Sequence, residues 1–409
     1  MFALEKSYPY YNYGLKLAAY PFIAPVDLLA NTLINDKYLF MKIAQIAPLI
    51  ESVPPKFYGG TERVVHYLTE ELVAMGHEVT LFASGDSCSS ATLIPIVGKC
   101  LRMDTQCSNP ITYQVIQLKE VMARADSFDL LHFHTDFLHF PWLENSDIPH
   151  ITTLHGRQDM AENIAIYRNF PNERIVSISN NQRKPLPAAG WLSTVYHGLP
   201  RDLHHIGNGQ GGYLAFLGRI SPEKGIEQAI EIAIEANLPL KIAAKVDPSE
   251  VNYFEGFIKH LLNHPLIEFI GEITEREKTD FLGNAKALLF PISWEEPFGM
   301  VLIEAMSCGT PVIAYPRGSV PEIIRDGIDG FLVHSVQEAI TAIQHVDRLS
   351  RSVIRQGFEN RFTARKMAES YLNAYNKVIG SIQEKSRRLA PRSNKWTEPV
   401  HQQLVTKVI

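Results

Sequence analysis

From Met41 onward the chain alternates short apolar runs with longer segments whose apolar residues recur at helical spacing. Residues 43–47 read as a short strand of the buried type. Gly59-Gly60-Thr61 then opens a helix through Met75, with Thr61 available as its cap and Gly76 as its stop. Residues 79–83, 130–134, 150–154 and 175–178 continue the strand series. A second series follows at 214–217, 240–244, 267–270, 287–290 and 311–314. Strands alternating with helices predict parallel sheets joined by right-handed crossovers. Between the two series, Gly198-Leu-Pro and Gly207-Asn-Gly-Gln-Gly-Gly212 break the pattern and read as an interdomain linker. Two α/β domains of similar size are expected, with a ligand cleft between the carboxyl ends of their sheets.

Both ends lie outside this pattern. Residues 8–13 are aromatic-rich, and 15–34 are apolar but interrupted by Lys16, Pro21, Pro25 and Asp27. The charge-free run at 17–26 is well short of the roughly 20 residues that span a bilayer. No basic leader precedes a small-residue cleavage site. We therefore expect 1–40 to be an irregular extension, a membrane-surface role being the weaker alternative, and Met41 to be the functional start. The stretch from Phe362 to Ile379 places Met367, Tyr371, Leu372, Tyr375 and Val378 at helical spacing, as core or as a bridge between domains. Residues 386–409, rich in Lys, Arg, Pro and Ser, read as a disordered tail.

Composition narrows the class. At 409 residues the chain can build two separate cores. A net charge of −5 gives no electrostatic reason to expect nucleic acid. The four cysteines, Cys88, Cys100, Cys107 and Cys308, have no metal-type spacing. A Cys100–Cys107 pair is conceivable, but so few thiols point to a reducing, cytoplasmic setting.

The candidate chemistry sits after the strands. Glu296 and Glu304 have seven residues between them and straddle a loop-to-helix junction. Pro297 and Gly299 mark the turn, and Met300 to Cys308 reads as a helix stopped by Gly309. A helix N-terminus suits a phosphate, and a carboxylate beside it accepts hydrogen bonds from hydroxyls. Hydroxyls beside a diphosphate describe a nucleotide-sugar. Gly218-Arg219-Ile-Ser-Pro-Glu-Lys224-Gly225 follows the first strand of the second series, and its two cations can clamp a diphosphate. Gly59 and Gly60 hold the equivalent place in the first half, where glycine lets the backbone approach a ligand.

His132, His134 and Asp136 would share one face of a continuous strand, which suggests a metal site, yet no fourth ligand follows. His155, beside Gly156, is better placed to bond a substrate hydroxyl or phosphate oxygen. Ser319-Val-Pro-Glu322 has the form of a capping box, with Arg317-Gly318 at the border of the cleft.

With these motifs in order, residues 41 to 380 resemble the retaining glycosyltransferases of family 4. The most specific element is Glu295-Glu296-Pro-Phe-Gly-Met-Val-Leu-Ile-Glu304-Ala-Met-Ser-Cys-Gly-Thr-Pro-Val, continuing into Gly318-Ser-Val-Pro-Glu322 and Asp326-Gly-Ile-Asp-Gly330. Gly-Gly-Thr-Glu-Arg, Gly-Arg-x4-Lys and Phe362-Thr-Ala-Arg-Lys-Met-Ala-Glu-Ser-Tyr371 match in the same order. The resemblance implies the GT-B fold, two Rossmann-like doubly wound domains facing a central cleft. It divides the chain into an acceptor domain at 41–205, a nucleotide-sugar donor domain at 206–361 and a helix at 362–385 that crosses back.

It also implies roles. Arg219 and Lys224 would hold the donor diphosphate with Gly59, Gly60, Gly218, Gly299 and the backbone of Met300 and Val301. Glu304 would bond the ribose, while Glu296 and His155 would contact the transferred sugar. The expected activity moves a hexose from a UDP-glucose-like donor to a small-molecule, sugar or lipid acceptor. No metal or other cofactor is required. A GT-B sugar-nucleotide epimerase and a non-catalytic sugar-nucleotide binder are the alternatives.

Overall fold

The computed structural model describes residues 40–56 and 59–389. The expected extension at 1–39 and the tail beyond 389 lie outside the described residues. Seven strands form the first sheet: β1 (Lys42–Ile46), β2 (Glu78–Ser84), β3 (Thr92–Val97), β4 (Leu130–Phe133), β5 (His150–Thr153), β6 (Ile175–Ser177) and β7 (Trp191–Thr194). Six form the second: β8 (Leu214–Arg219), β9 (Leu240–Lys245), β10 (Ile267–Gly271), β11 (Ala287–Phe290), β12 (Val312–Ala314) and β13 (Gly330–Leu332). Their orders are β3-β2-β1-β4-β5-β6-β7 and β10-β9-β8-β11-β12-β13, and the pairings are parallel.

Three strands went unpredicted, β3, β7 and β13, and each is a sheet edge. An edge strand has one neighbour and keeps part of its surface in solvent. Each sequence also breaks the usual strand pattern: Pro95 sits inside β3, Ser193 and Thr194 follow two apolar residues in β7, and β13 is short and opens on Gly330. None of β3 is fully buried, whereas every residue of β4 and β11 is.

In both sheets the strand order reverses beside the first strand: β1 lies between β2 and β4, and β8 between β9 and β11. At such a reversal the loops leaving neighbouring strands diverge, opening a crevice at the carboxyl ends. The second core shows what holds these ends in place. Leu214, Phe216, Ile242, Leu289 and Ile313 from the sheet pack with Ile226 and Ile230 of the helix Ile226–Glu235.

Four helices border the crevice or tie the two halves together: α1 (Gly60–Ala74), α2 (Glu275–Asn284), α3 (Met300–Ser307) and α4 (Ala364–Leu389). The apolar stripe expected from Phe362 to Ile379 lies on α4, where Met367, Tyr371, Leu372, Tyr375 and Val378 are all buried. Tyr375 and Tyr371 reach the first sheet, bonding His132 on β4 and Thr153 on β5. Each such buried side chain stabilises the dock by roughly 1.5–3 kcal/mol. The last helix is therefore tied to the first half of the chain. It also runs on to Leu389, so the tail expected from residue 386 begins as helix. Among the described residues no helix is long and apolar enough to cross a membrane.

Candidate active site

A cleft of about 450 Å³ opens at the crevice, and every residue to which the family resemblance gives a binding or catalytic role lines it. On the second half, the chain leaves β11 and turns into α3 at Gly299, whose φ of 78° is a left-handed conformation that favours glycine. No side chain caps α3, so the N–H groups of its first turn, at Met300 and Val301, remain for a ligand. Glu296 precedes the turn and Glu304 lies inside the helix; both are buried.

Each acid is held by a lysine. Lys224 Nζ lies 2.5 Å from Glu296 Oε2 and 4.8 Å from the centre of the Trp294 ring. Trp294 Nε1 donates to the same oxygen over 3.2 Å. Both of these hydrogen bonds to the Glu296 carboxylate land on Oε2, which orients it. Lys278 of α2, which the sequence pattern does not single out, lies 2.8 Å from Glu304 Oε1 and 3.0 Å from Glu275. Arg63 of α1 meets Glu275 from the opposite half at 2.9 Å. Burial opposes the charge on Lys278, but Glu304 and Glu275 outweigh it and raise its pKa. In the sequence Glu275-Arg-Glu-Lys278 resembles any solvated helix face, so only its position reveals it.

Arg219 ends β8, with Nη2 3.1 Å from Glu223, and its buried Nε has no partner. Gly218 and Arg219 carry the end of β8 into the cleft, and Gly59 and Gly60 line it from the start of α1. Gly59 caps α1 with extended backbone, so Thr61 lies within the helix and does not cap it. A Cβ at Gly60 would meet nothing in the protein within 4 Å, which leaves that space to a ligand. Six cationic side chains, Arg63, Arg102, Arg219, Lys224, Lys245 and Lys278, line the cleft against five acidic ones, Glu51, Glu62, Glu272, Glu296 and Glu304. The walls are close to neutral, so an anion would be held by individual donors rather than by a net field.

His155 follows β5 and borders both this cleft and a second cavity of about 460 Å³ in the first half. Burial drives its pKa down to about 3, so the ring is neutral. Its Nε2 lies 2.9 Å from His134 Nδ1, and its Nδ1 is buried without a partner. His197 stacks on it, with ring centres 5.3 Å apart and planes at 18°. This histidine was missed, although a signal existed: His197-Gly198 follows β7 as His155-Gly156 follows β5.

Three other expectations change. The face proposed for His132, His134 and Asp136 does not form, because β4 stops at Phe133 and Asp136 turns away at φ 54°. His132 bonds Tyr375 and Thr153, and His134 bonds Gln45 and His155. Nor is Ser319-Val-Pro-Glu322 a capping box. Ser319 Oγ donates to the Phe298 carbonyl, and the Glu322 carboxylate reaches the first half. There it accepts from the backbone N–H groups of Asn180 and Asn181 and from Tyr196 Oη. Arg317 and Gly318 do not line the cleft; Gly318 N donates to Glu295 behind it. All four thiols are free.

Comparison with known proteins bears on what such a cleft does. The family model "Glycosyl transferases group 1" matches residues 206–363, and "Glycosyltransferase Family 4" matches 58–201. The chain is 25% identical over 391 residues to the phosphatidyl-myo-inositol mannosyltransferase of Mycobacterium tuberculosis, covering 83% of this chain and 98% of that one. It is 26% identical over 275 residues to an uncharacterized glycosyltransferase of Methanocaldococcus jannaschii, covering 62% and 77%. Among solved structures, Anabaena HepE in complex with UDP and glucose superposes with a TM-score of 0.63. That likeness has 17% identity and covers 82% of this chain and all of that one, a likeness of fold.

Proposed function

The chain belongs to the group 1, family 4 glycosyltransferases of GT-B fold, and on that premise we propose that it is a retaining, metal-independent hexosyltransferase using a UDP-glucose-like donor. One observation carries the reading. Arg219, Lys224 and the uncapped first turn of α3 converge on the same cleft as two buried, lysine-oriented carboxylates. The cations and amide groups receive the diphosphate, and charge building on the leaving group is met by fixed donors. Glu304 takes the ribose hydroxyls, and Glu296 the hydroxyls of the sugar. The second cavity, sharing Thr61, His155 and Gly156 with the cleft, receives the acceptor.

In the transfer the bond between C1 and the diphosphate oxygen breaks as the acceptor oxygen bonds C1 from the same face. The acceptor proton passes to an oxygen of the departing diphosphate, so that attack and departure share one face of the sugar. Four free thiols favour a reducing, cytoplasmic setting.

The test uses the full chain in a chelator, with UDP-glucose, GDP-mannose and ADP-glucose compared by thermal shift. A ligand at 100 times its Kd stabilises by about 2.7 kcal/mol. One nucleotide-sugar should raise the melting temperature, and the double variant Arg219→Ala, Lys224→Ala should lose that shift. Loss of binding in the chelator, or full binding by the double variant, would overturn the proposal.

A further inference from the structure

Behind the cleft, an unbroken run of side-chain hydrogen bonds links α4 to His155. Gln45, the penultimate residue of β1 and fully buried, is its hub. Gln45 Nε2 lies 3.3 Å from Tyr375 Oη, and Gln45 Oε1 lies 2.8 Å from His134 Nε2. His134 Nδ1 lies 2.9 Å from His155 Nε2. In the other direction Tyr375 Oη lies 2.8 Å from His132 Nδ1, and His132 Nε2 lies 2.7 Å from Thr153 Oγ1. Burial keeps His132, His134 and His155 neutral, so each ring has one N–H and one lone pair.

The direction of the whole run follows from Gln45. Its amide oxygen can only accept, so His134 donates from Nε2 and its Nδ1 carries the lone pair. His155 must then donate from Nε2, which leaves its own Nδ1 as a lone pair. Turning the amide over would reverse every bond and put a proton on that atom. The distances favour the first orientation. At 3.3 Å the contact to Tyr375 is just beyond the usual range for N–H···O and further outside that for O–H···O. The short 2.8 Å contact to His134 is ordinary for N–H···O.

We propose that Gln45 is a positioning residue which, through His134, fixes the tautomer of His155, so that His155 meets its ligand as a hydrogen-bond acceptor at Nδ1. A neutral lone pair selects a hydroxyl over an oxygen of a phosphodiester, which has no proton to give. His155 is therefore a reader of the transferred sugar and not a phosphate ligand. The buried Nδ1, without a partner in the protein, is the atom that a sugar hydroxyl satisfies. This inference rests on the reading of the cleft as a nucleotide-sugar site.

The test is a ring-nitrogen NMR spectrum of the full chain labelled with ¹⁵N-histidine at neutral pH, with His155 assigned by difference from His155→Asn. The expected pattern is a protonated Nε2 and a pyridine-like Nδ1. Gln45→Met, similar in shape but without hydrogen bonds, should mix the two tautomers and weaken UDP-glucose binding roughly five- to tenfold. A proton on Nδ1 in the unaltered protein overturns the proposal without any nucleotide-sugar present. A Gln45→Met protein matching wild type in tautomer and UDP-glucose affinity overturns it too. Failure of the unaltered protein to bind any nucleotide-sugar would instead sink the donor reading and, with it, the hydroxyl assignment.

Discussion

Glu322→Ala should loosen the two halves of the molecule without touching the cleft. In the wild type this carboxylate accepts from Asn181 N at 2.7 Å, Asn180 N at 2.8 Å, Tyr196 Oη at 2.9 Å and Asn180 Nδ2 at 3.0 Å. All four donors belong to the first half and the acceptor to the second. The effect on Tyr196 shows the coupling, since burial and the Glu322 bond together push the phenol up to about 12. Hydrogen bonds to a charged group contribute about 1.5–3 kcal/mol each when dry. Here the carboxylate is only half-buried, so water recovers much of that, and about 2–3 kcal/mol in total is the reasonable sum. That weakens closure about 30- to 150-fold. The Asn181–Glu295 and Arg63–Glu275 contacts remain, so the halves loosen rather than part. Small-angle scattering of the ligand-free variant should give a larger radius of gyration. Its melting temperature should fall by about 2–4 °C per kcal/mol lost. Superimposable scattering and a melting temperature within about 1 °C of wild type would refute the latch.

Three further outcomes rest on the same network and its buried neighbours. Lys278→Met removes the cation that holds Glu304 and should weaken UDP binding about tenfold or more, read by calorimetry; an unchanged Kd would remove Lys278 from the site. Burial would raise the pKa of Glu275, but His204 beside it, with Lys278 and Arg63, outweighs that and depresses it below the ordinary 4.5. The unfolded chain then binds more protons, so this stability is complete above 4.5 and is lost as pH falls toward the depressed value. Glu275→Gln should flatten that limb of a denaturation profile measured against pH. Burial pushes the Cys308 thiol up to about 12 and also raises Cys100, whereas Cys88 is exposed. A thiol reagent should therefore modify Cys88 first in the folded protein and leave Cys308 until unfolding.

Local pattern determined a great deal here. The central strands announce themselves because both faces are buried, and α4 does so through an apolar stripe at helical period. The turn at Gly299 and the spacing of Glu296 and Glu304 are equally local facts, set by a few consecutive dihedrals. What no stretch of sequence contains is pairing between distant charges. Lys278 reads as a solvated lysine until α2 is laid against α3, and Glu322 reads as a helix cap until Asn180 and Asn181 arrive from the other half. Gln45 looks like one polar interruption in a strand until β1, β4 and α4 enclose it. The chain alone decided which elements form and where its acids and cations fall along them. Tertiary structure decided which charges neutralise one another and which buried polar groups find partners, because those depend on distances between residues far apart in sequence.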